Sequence, residues 1–241
     1  MTERVTVLFP MAGRGERFGG TFKPFLTFRD QTFIEAALAP FRAHLPEIKE
    51  FVFAFLAEQE EAHQVTARLG SMFAGLPYRV ALLPAPTRGP AETISGAVGI
   101  AGIKGPVVIC DCDHAVQVGP IFERLAKPAA WDAVVPLWSL EGENLASWAV
   151  AALAPDGRIV AMQEKSRPEG ADVVAGVVGC YAFADVANAL RIGDAQKAAN
   201  FSEILGAMMR AGTQVEGVFL KEAEFFGDPN RLNKALAGSN A

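Results

Sequence analysis

Two short stretches of this chain hold the residue types that phosphate chemistry requires. The first is Ala12-Gly13-Arg14-Gly15-Glu16-Arg17-Phe18, followed five residues on by Lys23-Pro24. Glycines placed directly after an apolar run let backbone N–H groups come close to phosphate oxygens, and Arg17 and Lys23 add positive charge beside them. The same residues would also serve as a mobile glycine-rich turn with solvated cations. The second stretch is Asp111-Cys112-Asp113-His114, which ends the apolar run Val107–Cys112. Carboxylates at i and i+2 of a strand point to one side, so both can face a ligand; they can equally be solvated caps of a strand end. His114 reads more readily as a polar loop residue than as a catalyst. The spacing of Cys110, Cys112 and Cys180 gives neither a disulfide framework nor a zinc site, so the thiols read as reduced and structural.

The glycine stretch does not follow the two familiar phosphate loops. The third glycine of G-x-G-x-x-G falls on Phe18, and no Gly-Lys-Ser/Thr follows, so neither a dinucleotide fingerprint nor a Walker loop fits.

The elements that must position these residues alternate along the first half. Val5–Phe9 is a short, β-branched apolar run ahead of Pro10 and reads as a buried strand. Thr32 and Glu35 have capping-box spacing, and Ile34, Leu38 and Phe41 then recur at helical intervals. Strands are expected at Phe51–Leu56, Tyr78–Leu83 and Val107–Cys112, with helices at Glu58–Leu69 and Ala91–Ile100 between them. Such alternation predicts a mostly parallel sheet with right-handed connections and helices on both faces. After residue 130 the pattern changes to strands with little helix between them: Ala133–Trp138, Ser147–Leu153, Arg158–Met162 and Val173–Phe183. The turn residues Pro155-Asp156-Gly157 separate two of them. Helices return at Phe201–Arg210, behind an Asn200 cap, and at Pro229–Leu236, and Gly238–Ala241 reads as frayed. The fold expected is α/β, with a mixed or antiparallel extension in the second half.

The A-G-x-G-x-R-F loop followed by K-P resembles the signature of the sugar-phosphate nucleotidyltransferases, and five further segments match in the same order. Thr87-Arg88-Gly89-Pro90-Ala91-Glu92-Thr93 is similar to the family segment after the third strand, where a glycine lies against the base. Asp111-Cys112-Asp113-His114 stands where the family keeps a metal-binding aspartate. Glu164-Lys165, with Pro168 nearby, is similar to an E-K-P element whose lysine meets the sugar phosphate, and Gly176–Phe183 resembles the glycine-bearing strand that follows. Gly227-Asp228-Pro229-Asn230-Arg231-Leu232 resembles a closing G-T-P-E-D-L turn, with Asp228 where threonine is usual.

The resemblance implies a Rossmann-like GT-A-type fold in a single domain, with residues 1–130 binding nucleotide and 131–241 binding acceptor. It implies in-line transfer of a nucleoside monophosphate from a nucleoside triphosphate to a phosphorylated small molecule, a sugar 1-phosphate above all, with release of pyrophosphate. Catalysis would be positioning and charge neutralisation. Arg17, Lys23 and Asp113 would be catalytic. Ala12, Gly13, Arg14, Gly15, Gly89 and Asp111 would bind the nucleotide, and Glu164, Lys165 and Gly179 the acceptor. Mg2+ would sit on Asp113 and Asp111. Family members commonly place a second metal-binding aspartate two residues before the closing glycine, and here that position is Phe225. Asp111, Glu224 or Asp228 could supply the missing charge, and Asp111 fits most simply. Phe225-Phe226 reads as core packing rather than a base platform.

A GT-A-type glycosyltransferase using a nucleotide-sugar would also carry an Asp-x-Asp at a strand end, although the cationic loop suits a triphosphate better. A non-catalytic nucleotide-binding homologue is the remaining alternative. Composition bounds all three. The chain has 241 residues, 51% of them hydrophobic, enough for one sizeable core, and its net charge of −5 opposes a general nucleic-acid binder. The N-terminal apolar run Val5–Phe9 is too short for a signal-peptide core or a membrane span, so a cytoplasmic protein without a membrane partner is expected, and the high apolar fraction is compatible with a homo-oligomer.

Overall fold

The computed structural model describes residues 3–127, 131–195 and 197–238. Strand β1 (Val5–Pro10) is buried along almost its whole length. Successive side chains of a strand point to opposite faces, so Val5, Val7 and Phe9 enter one core while Leu8 enters another. Both faces being covered, the run is continuously apolar.

The hairpin of β2 (Thr27–Phe28) and β3 (Gln31–Thr32) leads into α1 (Phe33–Leu38). The capping box forms: Thr32 N–H donates to Glu35 Oε2 at 2.8 Å, and Glu35 N–H to Thr32 Oγ1 at 3.4 Å. The chain then runs as tight 3-10 turns over Ala39–Glu47, which bury Phe41. Strand β4 (Ile48–Leu56) follows, then α2 (Ala57–His63) and α3 (Val65–Met72). The single helix expected over Glu58–Leu69 is therefore two, because Gln64 takes a left-handed conformation at φ +52° and closes the first. Next come β5 (Tyr78–Leu83), α4 (Pro90–Ala101), β6 (Val107–Cys110), β7 (His114–Val116) and α5 (Gly119–Leu125).

The second half holds β8 (Ala133–Trp138), β9 (Ala149–Leu153), β10 (Ile159–Glu164), β11 (Val173–Val177) and β12 (Cys180–Phe183). It closes with α6 (Val186–Ala195), α7 (Phe201–Arg210), β13 (Val215–Phe219), β14 (Ala223–Phe225) and α8 (Pro229–Ala237). Three expected strands are shorter than the apolar runs that announced them. β6 stops at Cys110, not Cys112, because the chain turns at the aspartates. β9 starts at Ala149, since Leu145–Ser147 forms a 3-10 turn capped by Asn144. The run Val173–Phe183 breaks at Val178-Gly179, where Cys180 N–H bonds to Val178 O at 2.7 Å. At the Asn200 cap it is Glu203 that accepts, from the Ala199 and Asn200 N–H groups. The fraying expected from Gly238 falls, beyond that residue, outside the described residues.

In the main sheet β5, β4, β1 and β6 run parallel. β12 joins antiparallel to β6 and carries the sheet into the second half, where β8, β11, β9 and β10 pair antiparallel. β13 lies parallel to β8 on its other side. The fold is thus α/β with a mostly parallel central sheet and a mixed extension. One apolar cluster packs the side chains of α1, α3 and α5 on one face, and a second packs those of α4, α6 and α7 on the other. Among the described residues no helix is long and apolar enough to cross a membrane.

Candidate active site

The glycine loop leaves the carboxyl end of β1 between two tethers. Met11 N–H extends the pairing with β4 by bonding to Ala54 O at 2.7 Å. Farther on, Gly15 O accepts from Phe18 N–H at 2.8 Å and Gly20 N–H at 3.1 Å, drawing the loop into a compact turn around Glu16–Phe18. Gly15 has φ +67°, and a Cβ there would lie 1.9 Å from Thr21 O, so this position requires glycine. Arg14 and Arg17 are exposed on the loop, and among the described residues neither has a carboxylate partner.

Lys23 behaves differently. It opens a short 3-10 turn in which Pro24 is buried, and its Nζ lies 2.6 Å from Asp113 Oδ2. Asp113 also receives His114 Nδ1 at 3.2 Å on Oδ1. Burial would raise the Asp113 carboxyl, but Lys23 and His114 outweigh it and hold the group well below the usual carboxylate range. Burial likewise works against charge on Lys23, and the neighbouring Asp113 outweighs it, so the ammonium is held above its ordinary value. Among the described residues Asp111 has no ion-pair partner; burial first, then Asp113, push it up to about 6.

The two aspartates converge through the turn after β6, not through strand alternation as expected, because both lie beyond its last residue. Each is backed by a glycine. A Cβ on Gly179 would meet Asp111 Oδ2 at 2.1 Å, and one on Gly227 would meet Asp113 Oδ2 at 2.5 Å. His114 is not a loop residue: it is buried, opens β7 and places Nε2 3.8 Å from Cys110 Sγ. β7 pairs with β14, so Phe225 stands opposite His114. The Phe225 ring packs on Trp138 and Trp148, and Phe226 is fully buried, as core packing requires.

A cavity of about 550 Å³ opens at the carboxyl ends of the parallel strands. It is lined by Ala12, Gly13, Arg14, Gly15, Arg17, Lys23, Gly89, Asp111 and Asp113, so all nine residues expected on the catalytic and nucleotide side meet in one place. Gly89 precedes α4, and a Cβ there would come to 3.0 Å from Ala199 O. The three acceptor-side residues stand apart from this lining. Glu164 ends β10 and accepts a short hydrogen bond from Ser202 Oγ, Lys165 is exposed at φ +58°, and Gly179 lies behind Asp111. Thr93, on the inner side of α4, also lines the cavity and lies 2.6 Å from Thr87 Oγ1. It ends the segment that resembles the family's base-binding stretch, but nothing in the sequence marks a role of its own. Glu224 is paired with Arg29, and Asp228 caps α8 by accepting from Asn230 and Arg231 N–H at 3.0 Å each. Both carboxylates are therefore already engaged.

The fold and this cavity define a Rossmann-like α/β protein with its ligand site at the strand ends. The chain belongs to the MobA-like NTP transferase domain family, whose model matches residues 7–168. It is a nucleotidyltransferase of that family. Solved structures of the same fold include a nucleoside-diphosphate-sugar pyrophosphorylase from Vibrio cholerae RC9, with 21% identity, a TM-score of 0.75 and coverage of 96% of this chain and 99% of that one. A putative glucose-1-phosphate thymidylyltransferase from Bacillus anthracis gives 16% identity and a TM-score of 0.79, covering 98% and 95%. A UTP-bound UGPase from Acinetobacter baumannii gives 16% and 0.75, covering 98% and 93%. At these identities the likeness is one of fold. No curated protein matches the chain significantly.

Proposed function

We propose that the enzyme transfers a nucleoside monophosphate from a nucleoside triphosphate to a sugar 1-phosphate, or a comparable small phosphate, releasing pyrophosphate. The observation that carries this reading is the convergence of the glycine loop, Arg17, Lys23 and the Asp111–Asp113 pair on one cavity. The pyrophosphorylase and thymidylyltransferase folds named above support a sugar 1-phosphate as acceptor.

In the reaction an acceptor phosphate oxygen bonds to the α-phosphorus, the bond from that phosphorus to the bridging oxygen breaks, and pyrophosphate leaves. The acceptor phosphate is already anionic, so no general base is needed. The protein's task is to hold two anions together. Backbone N–H groups of residues 12–15 and the free guanidinium of Arg17 bind the triphosphate. Lys23 neutralises charge at the reacting centre. Residues 131–241 bind the acceptor, with Lys165 meeting its phosphate, and Glu164, oriented by Ser202, and Gly179 completing that side.

The donor set fits a hard divalent cation. Carboxylate oxygens of Asp111 and Asp113 and a His114 nitrogen lie within 4.8 Å of one another, and such an ion keeps waters and takes phosphate oxygens as its other ligands. Asp113 and Asp111 would hold Mg2+, which when bound supplies neutralisation of phosphate charge. The test is a screen of triphosphates against sugar 1-phosphates with magnesium. Pyrophosphate is the expected product; nucleoside diphosphate would instead indicate glycosyl transfer, and binding without turnover a non-catalytic homologue.

A further inference from the structure

Gln59 is a buried amide, 8% exposed, that stands behind the glycine loop and not in the cavity. Both ends of the amide are engaged. Its Oε1 accepts from Leu56 N–H at 2.9 Å, which caps the start of α2. Its Nε2 reaches across to the loop and donates to Gly13 O at 3.0 Å.

The second bond sets the direction of a peptide plane. In a trans peptide the carbonyl and the following N–H point opposite ways, and the described chain has no cis bonds. With Gly13 O turned back toward Gln59, the Arg14 N–H is turned the other way, toward the cavity that Gly13, Arg14 and Gly15 line. The next residue, Gly15, is fixed in its left-handed conformation against Thr21. The peptide is thus held from behind and from ahead, leaving its donor presented to an anion.

We propose that Gln59 is a positioning residue for triphosphate binding: it locks the Gly13–Arg14 peptide so that the Arg14 N–H faces the phosphates. The inference rests on reading the cavity as the triphosphate site. Nothing in the chemistry requires Gln59 to touch substrate; it acts through the loop.

Two variants separate this role from simple helix capping. Gln59→Glu keeps an oxygen for Leu56 N–H but sets a carboxylate against Gly13 O, so only the loop bond is lost. Gln59→Met loses both bonds. Inorganic tripolyphosphate, titrated by calorimetry, probes the loop whatever base the enzyme uses. Its dissociation constant should rise about tenfold in both variants, the scale of one lost hydrogen bond. The thermal midpoint should fall in both variants, since Gln59→Glu buries a carboxylate against Gly13 O and Gln59→Met loses the helix cap, and the acceptor KM should not change in Gln59→Glu. In the free protein, the order parameters of the Arg14 and Gly15 amides should drop from about 0.85 toward about 0.6 in Gln59→Glu. Tripolyphosphate binding within about twofold of wild type, with unchanged order parameters, would overturn the proposal. If wild type binds no tripolyphosphate, the reading of the cavity fails instead, and unchanged order parameters would then refute the loop lock by themselves.

Discussion

Lys23 Nζ donates to Asp113 Oδ2 at 2.6 Å, joining the end of the glycine loop to the turn after β6. The contact exists because β1 and β6 are parallel neighbours, so both segments emerge at the same end of the sheet. Each partner carries its charge against the effect of burial. The ion pair therefore keeps a cation and an anion in place where a negatively charged substrate has to be received.

Removing either loop cation should cost turnover. Lys23→Ala and Arg17→Ala are each expected to lower kcat by about 10²- to 10³-fold, the scale for loss of one preorganised charge-stabilising group. Lys165→Ala should raise the acceptor KM more than the triphosphate KM. Steady-state pyrophosphate release, with each substrate varied in turn, checks all three. Near-normal rates in both loop variants would reduce the loop to a turn.

The carboxylates should separate by role. Asp113→Ala is expected to abolish activity and Asp111→Ala to impair it strongly. Asp228→Ala should leave the metal requirement unchanged while costing about 1 kcal/mol of stability as a lost helix cap. Magnesium-dependent turnover paired with denaturant unfolding separates the cases. A metal requirement lost only in Asp228→Ala would move the ion to the closing turn.

Gly179 and Gly227 make a sharper test of the geometry. A methyl group at Gly179 must displace the Asp111 carboxylate, and one at Gly227 the Asp113 carboxylate. Each alanine variant should therefore reproduce the activity loss of the matching aspartate substitution. Turnover of the four single variants, measured side by side, decides the point. An active Gly227→Ala enzyme would mean that the Asp113 carboxylate has room to be elsewhere.

How much of this was legible in the sequence depends on how local each signal is. The Val5–Phe9 strand, the Thr32–Glu35 box and the glycine loop are short-range patterns, and each stands where its pattern put it. The backing of Asp111 by Gly179 and of Asp113 by Gly227 comes from segments remote in the chain, which no spacing records. Alternation gave the wrong reason for the convergence of the two aspartates, because the apolar run continues through Cys112 while the strand ends at Cys110. α6 could have been found, since Val186, Ala189 and Leu190 are buried at helical spacing. β7 and β14, at three residues each, are too short to show a period. Gln59 gave no signal, since its value lies in a partner on another element.

The buried thiols predict an alkaline loss of stability. Burial pushes Cys112 up to about 12, and burial together with Cys180 holds Cys110 well above its ordinary value. Folded values raised above the unfolded value of about 8.5 mean that the protonated thiols stabilise the fold below that pH. This stability is lost as pH rises from there through the folded values, by about 1.4 kcal/mol per pH unit for each thiol. Urea unfolding between pH 8 and 11 should show a shallower decline in Cys112→Ala than in wild type. Parallel declines would show that Cys112 is not held protonated.

The most direct measurement follows the phosphorus atoms. With magnesium, a sugar 1-phosphate and a triphosphate labelled in turn at the α- or γ-phosphorus, the account predicts that α-label enters the sugar product and γ-label appears in pyrophosphate. The same product with pyrophosphate should regenerate α-labelled triphosphate. Label from the γ-position in inorganic phosphate, or no α-label in any sugar product across the triphosphates, would contradict nucleotidyl transfer at this site.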